Sequence, residues 1–142
     1  MTMRPPVAFM QAPPRTSARS SALLEDKDTR SVLVIEDDKT SATALRIILT
    51  RRGCDVTVAS SVAEAIEQLE KPPCTVLLDL MLPDGDGLLI LERLRQMKSP
   101  TKVVVTTSVS DPDHLLAAQH LRPHAILQKP INLVDLFRVM GC

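Results

Sequence analysis

The sequence predicts an α/β fold in which crossover helices wrap a parallel sheet, and two observations predict it. From Ser31 onward, short apolar runs rich in β-branched residues alternate with segments of helical period, five times over. Four of the five apolar runs also end in residues with chemistry to offer, as expected where an open parallel sheet presents functional side chains at its carboxyl edge.

Taken in order, the first strand is predicted over Val32 to Ile35 and the first helix over Lys39 to Arg52. A second strand, Asp55 to Ala59, leads to a helix from Val62 to Glu70. Ser61 and Glu64 form a capping box ahead of Ile66 and Leu69. The third strand is Thr75 to Asp79, with a helix from Leu88 to Met97. The fourth strand, Lys102 to Thr106, precedes a helix from Pro112 to Leu121. Asp111 is its cap residue, and proline at the first helical position loses no intrahelical hydrogen bond. Ala125 to Leu127 make the last strand and Leu133 to Met140 a short final helix.

Residues 1–30 read differently. The pairs Pro5-Pro6 and Pro13-Pro14, scattered Ser and Arg, and no apolar period predict a disordered, solvated leader, so a single domain is expected over 31–142. A chain of 142 residues suffices for one core. The 17 basic side chains balance 17 acidic ones, so no global field recruits nucleic acid or an anionic membrane. Phe9 and Phe137 are the sole aromatics and leave no stacking platform for bases, so direct nucleic-acid binding is not expected. No apolar stretch approaches the roughly 18 residues of a membrane span. Cys54, Cys74 and Cys142 are odd in number and lack a C-x-x-C pattern, which fits reduced thiols in a cytoplasmic protein.

The chemistry lies at the run ends. VLVI ends in Glu36, Asp37 and Asp38; TVLL ends in Asp79; VVV ends in Thr106, Thr107 and Ser108; the last run meets Lys129-Pro130. If the first and third strands are neighbours, Glu36, Asp37 and Asp79 converge within about 5 Å. Each close pair of like charges then costs roughly 3 kcal/mol at an effective dielectric of about 20, so the site must protonate, distort or bind a cation. Oxygen-only ligands favour Mg²⁺, with Mn²⁺ as the alternative. Replacing Asp79 by Asn should remove one repulsion, on the order of 1 to 3 kcal/mol without the metal. A divalent cation beside a carboxylate suits phosphoryl transfer, with an aspartate as nucleophile, Thr106 donating to a phosphoryl oxygen and Lys129 supplying a point charge.

The motifs VLVIEDD, LLDLMLPDGDG, VVVTTS and LQKP, in this order, resemble the receiver domains of two-component response regulators over Ser31 to Cys142. The resemblance implies a flavodoxin-like doubly wound sheet of five parallel strands in order 2-1-3-4-5, flanked by five helices. It implies that Asp79 takes a phosphoryl group from a histidine kinase or a phosphotransfer protein. Mg²⁺ would be held by Glu36, Asp37, Asp79 and the backbone carbonyl of Met81. Thr106 would sense the phosphoryl group and Lys129 would grip it, with Lys129-Pro130 as the cis-proline position. Thr106 is preferred to Thr107 as the sensing hydroxyl because it directly ends the apolar run.

Three positions depart from the family pattern. Ile126 stands where an aromatic residue often relays the switch, so the signal is expected to pass through backbone and loop shifts. Thr107 replaces a common small alanine, and Leu121-Arg122-Pro123-His124 replaces a glycine-containing loop, which should be stiffer for it. The resemblance places the partner surface on the fourth and fifth helices and fifth strand, from His114 to Val139, where a downstream protein or a second copy would bind. With no further domain in the sequence, output through protein contact is expected.

Rival readings fit less well. An aspartate-nucleophile phosphatase of the haloacid dehalogenase type would need a second aspartate at Met81, and a calcium loop around Asp84-Gly85-Asp86-Gly87 lacks acids at its first and last positions, Leu82 and Arg93. Asp84 and Asp86 read as a solvated turn and a helix start. A receiver-like scaffold regulated without phosphorylation would usually lack part of the site, and this chain lacks none.

Overall fold

The computed structural model describes residues 30–108 and 111–141. The leader, apart from Arg30, and Cys142 lie outside the described residues.

The chain runs β1 (Ser31–Ile35), α1 (Lys39–Arg51), β2 (Asp55–Ala59), α2 (Val62–Gln68), β3 (Thr75–Asp79), α3 (Leu88–Gln96), β4 (Lys102–Thr107), α4 (Pro112–His120), β5 (Ala125–Gln128) and α5 (Leu133–Met140). All five strands are parallel in the order β2-β1-β3-β4-β5, the flavodoxin-like order expected from the resemblance. The central strands β1, β3 and β4 are buried almost throughout, because helices cover both sheet faces and leave no wet side. At one edge β2 alternates, exposing Asp55 and Thr57 while half-burying Val56 and Val58.

Alternate residues of each strand feed two separate cores. On one face Leu33, Ile35, Val76, Leu78, Val103 and Val105 pack with Ala65 of α2, with Ile90, Leu91 and Leu94 of α3 and with Ala118 of α4. On the other, Val32, Val34, Leu77 and Val104 pack with Leu45 and Leu49 of α1 and with Leu136 and Met140 of α5.

Three corrections concern local structure. A two-stranded hairpin, Met81–Leu82 against Gly85–Asp86, follows Asp79 where a loop was expected. The capping box is shifted: the Ser61 hydroxyl accepts from the Glu64 amide, but the Glu64 carboxylate accepts from the amide and hydroxyl of Ser60, one residue earlier than the motif prescribes. Strand β4 runs on to Thr107, because Thr107 pairs with Gln128 and its carbonyl accepts from the Lys129 amide. The other element ends agree with the sequence to within one or two residues.

The loop before β5, expected to be stiff, is tied to α3 by hydrogen bonds. Arg122 sits in the left-handed region at φ 55°, and Arg95 on α3 donates to the carbonyls of Leu121, at 2.7 Å, and Arg122. Helix α5 ends on Gly141 at φ 77°, a position where a side chain would be strained.

Candidate functional site

The site forms at the carboxyl edge of β1, β3 and β4. Glu36 leaves β1, and its amide donates to the Ala59 carbonyl, which keeps it in line with the sheet. Asp79 is the last residue of β3 and the register partner of Thr106. Carboxylate oxygens of Glu36, Asp37 and Asp79 lie within 4.8 Å of one another, matching the predicted convergence. Glu36 and Asp79 are buried, at 3% and 5% exposure, whereas Asp37 is exposed and opens the cluster to solvent. Asp38, grouped with them in the sequence, turns away instead. It caps α1, accepting from the Ser41 hydroxyl at 2.6 Å and the Ser41 amide at 3.0 Å, and those bonds hold its carboxyl below the ordinary carboxylate pKa.

Lys129 reaches the cluster from the end of β5. Its Nζ donates to Glu36 Oε1 at 2.7 Å and to Asp79 Oδ2 at 3.1 Å, and the Lys129-Pro130 peptide bond is cis, as the family resemblance implied. Opposing effects act on the pair. Burial raises the pKa of Glu36, aided by the Asp79 charge, while hydrogen bonds from Lys129 and the Asp38 amide pull it back without cancelling the rise. For Lys129 burial acts to lower the pKa, but the hydrogen bonds to Glu36 and Asp79 outweigh it and leave the value above that of a free lysine. One lysine thus faces three carboxylates, and the remaining negative charge, held on hard oxygen donors with one open side, fits a small divalent cation.

Thr106 and Thr107 are both buried at the end of β4. Because successive side chains alternate faces, Thr106 shares the face of its partner Asp79 and Thr107 takes the opposite one. Ile126 is half-buried, pairs with Val105 and packs against the core that holds α2, α3 and α4. A groove of about 540 Å³ opens beside the acids, lined by Glu36, Lys129, Pro130 and apolar residues of α1 and the segment leading to α5.

Sequence reasoning missed several supports of the site. Asp79 Oδ1 accepts from the Met81 amide at 3.1 Å, tying the hairpin to the carboxylate. Gly87 donates to the Leu80 carbonyl at 2.8 Å and lies so close to the strand end that a Cβ there would collide with the Asp79 carbonyl oxygen. Asp84 is no mere solvated turn residue: it accepts from the Val62 and Ala63 amides at 2.8 and 3.1 Å, capping α2 from outside. Asp86 lies just before the Gly87 N-cap of α3, accepts from the Leu88 amide at 2.9 Å and also meets His114. The D-G-D-G string carried a signal for a turn but none for these partners.

The family model described as the response regulator receiver domain matches residues 32–140. The chain belongs to that family. Among curated relatives, the receiver is 30% identical over 112 residues to the acid tolerance regulatory protein ActR of Rhizobium meliloti (strain 1021), covering 78% of this chain and 58% of ActR. It is 40% identical over 87 residues to the transcriptional regulatory protein KdpE of Mycobacterium tuberculosis (strain CDC 1551 / Oshkosh), covering 61% of this chain and 38% of KdpE. The chain therefore spans little more than half the length of ActR and less of KdpE. Among solved structures, the signal receiver domain of a modulated diguanylate cyclase from Desulfovibrio desulfuricans G20 is 30% identical with a TM-score of 0.70, covering 78% of this chain and 90% of that one. A CheY-like receiver domain protein from Methanospirillum hungatei JF-1 shares the fold, with a TM-score of 0.75 at 23% identity over 79% of this chain and 90% of that one. Receivers are signalling modules, and these curated relatives are regulatory proteins. Among the described residues no helix is long and apolar enough to cross a membrane.

Proposed function

We propose that residues 31–142 form a phosphoacceptor receiver in which Asp79 takes a phosphoryl group from the phosphohistidine of a kinase or phosphotransfer protein. The observation that carries this reading is the juxtaposition of Glu36, Asp37 and Asp79 within 4.8 Å, with Lys129 bonded to two of them. A carboxylate oxygen of Asp79 attacks phosphorus, a P–O bond forms, the P–N bond breaks, and the electron pair returns to the imidazole of the donor. Mg²⁺, or Mn²⁺, held by Glu36, Asp37, Asp79 and the Met81 carbonyl would neutralise the charge of the incoming group.

Lys129 exchanges part of its present pairing for a phosphoryl oxygen, and Thr106, on the face of Asp79, donates a hydrogen bond to another. The same face argument puts Thr107 second. Output passes to a protein partner in the cytoplasm, or to a second copy, over α4, β5 and α5, where Leu116 and Val134 are exposed at 53% and 64%.

Incubation with acetyl phosphate and Mg²⁺ should give a hydroxylamine-labile adduct on Asp79. The adduct should be lost in Asp79→Asn and in excess chelator. An unmodified wild-type chain, or an adduct that persists in Asp79→Asn, would sink the proposal.

A further inference from the structure

Helix α4 is fastened unevenly. Ala118 is its one buried residue, Leu121 at its C-cap is half-buried against the core, and Arg95 holds the carbonyls that follow. All of these lie toward the C-terminal end. In the first turn Pro112 and Asp113 are exposed, and a tertiary bond comes from His114, whose Nε2 lies 3.0 and 3.1 Å from the two carboxylate oxygens of Asp86. The His114 side chain is 17% exposed, so this contact is partly shielded from water.

Asp86 belongs to the hairpin that follows the acceptor. It pairs with Met81, whose amide donates to Asp79 Oδ1. Three successive contacts therefore lead from the acceptor carboxylate to the first turn of α4: Asp79 to Met81, Met81 to Asp86, Asp86 to His114. Each is a hydrogen bond or a strand pair, and none passes through Ile126.

We propose that His114 and Asp86 form a latch that holds the first turn of α4 on the hairpin in the unphosphorylated protein, with the Arg95 end as the pivot. This rests on the reading of Asp79 as the acceptor. Conversion of the Asp79 carboxylate to an acyl phosphate removes negative charge from its carbonyl oxygen, weakens the bond from the Met81 amide and loosens the hairpin under Asp86. The latch then opens and α4 swings about its C-terminal end. His114 is a positioning residue in this scheme and touches no reacting atom.

Hydrogen exchange of the α4 amides, read by mass spectrometry on the full chain, tests it. Without a phosphodonor, His114→Leu, which fills the space but offers no donor, should raise exchange over residues 115–120 about fivefold while α1 and the sheet stay unchanged. His114→Gln, which keeps an N–H, should stay closer to wild type, an ordering that mere packing would not produce. Acetyl phosphate with Mg²⁺ should raise wild-type exchange toward that of His114→Leu, which should rise no further. Equal exchange in the three unphosphorylated proteins, or equal increases in Leu and Gln, would overturn the latch. A wild-type chain without an adduct at Asp79 would overturn the acceptor reading instead, and the comparison without a phosphodonor would still judge the latch.

Discussion

Helices α3 and α4 are successive crossovers of nine residues each on the same face of the sheet, yet they are attached by different physics. Helix α3 buries Ile90, Leu91 and Leu94 completely, and each such side chain contributes roughly 1.5 to 3 kcal/mol of transfer free energy. Helix α4 buries only Ala118 and relies on polar contacts near its ends, to Asp86 and to Arg95. Apolar packing is dense and has one best arrangement, whereas a few partly wet hydrogen bonds are worth about 1 kcal/mol each and can be exchanged. Helix α3 is thus part of the frame, and α4 is the less deeply packed of the two.

The largest expected effect breaks the comparison most directly. Leu91→Ala on α3 should lower stability by about 2 to 5 kcal/mol in denaturant unfolding, whereas Leu116→Ala on α4 should change it by no more than about 0.5 kcal/mol. Similar losses at the two positions would show that α4 is anchored by apolar contact after all. Next, Arg95→Ala should cost about 1 kcal/mol and raise exchange at the C-terminal end of α4 more than at its first turn, since half-exposed charge-assisted bonds give less than buried ones. An effect confined to the first turn would move the pivot.

A modest effect of opposite sign is expected at the acceptor. Asp79→Asn removes two repulsions, with Glu36 and Asp37, but also one attraction, to Lys129 at 3.1 Å. The net gain without divalent metal should be about 1 kcal/mol, at the lower end of the range expected from acid crowding alone. A lower unfolding midpoint for the mutant in chelator would mean that the Lys129 pairing outweighs the repulsion.

Much of the site could be read from the chain because strand ends in a parallel sheet fall at one edge. With VLVI and TVLL as neighbouring strands, an order that the family resemblance supplied, Glu36, Asp37 and Asp79 meet at one edge, and Lys129 ends a strand at the same edge. Caps that act within a few residues were legible for the same local reason: Ser61 and Asp111 hold the amides that the sequence assigns them. Asp84 was not legible, because the amides it binds, at Val62 and Ala63, are more than twenty positions away. Nor was Gly87, whose need for glycine is set by how near α3 brings it to the Asp79 carbonyl.

By itself, then, the sequence determined the alternation of strands and helices, the strand-end acids and the lysine, since periodicity and caps depend on near neighbours. Only the tertiary structure decided that Thr106 shares the face of Asp79. It alone brought His114 to Asp86, 28 positions apart. Those outcomes depend on register and helix docking, which arise when the whole core closes and are written in no single stretch of the chain.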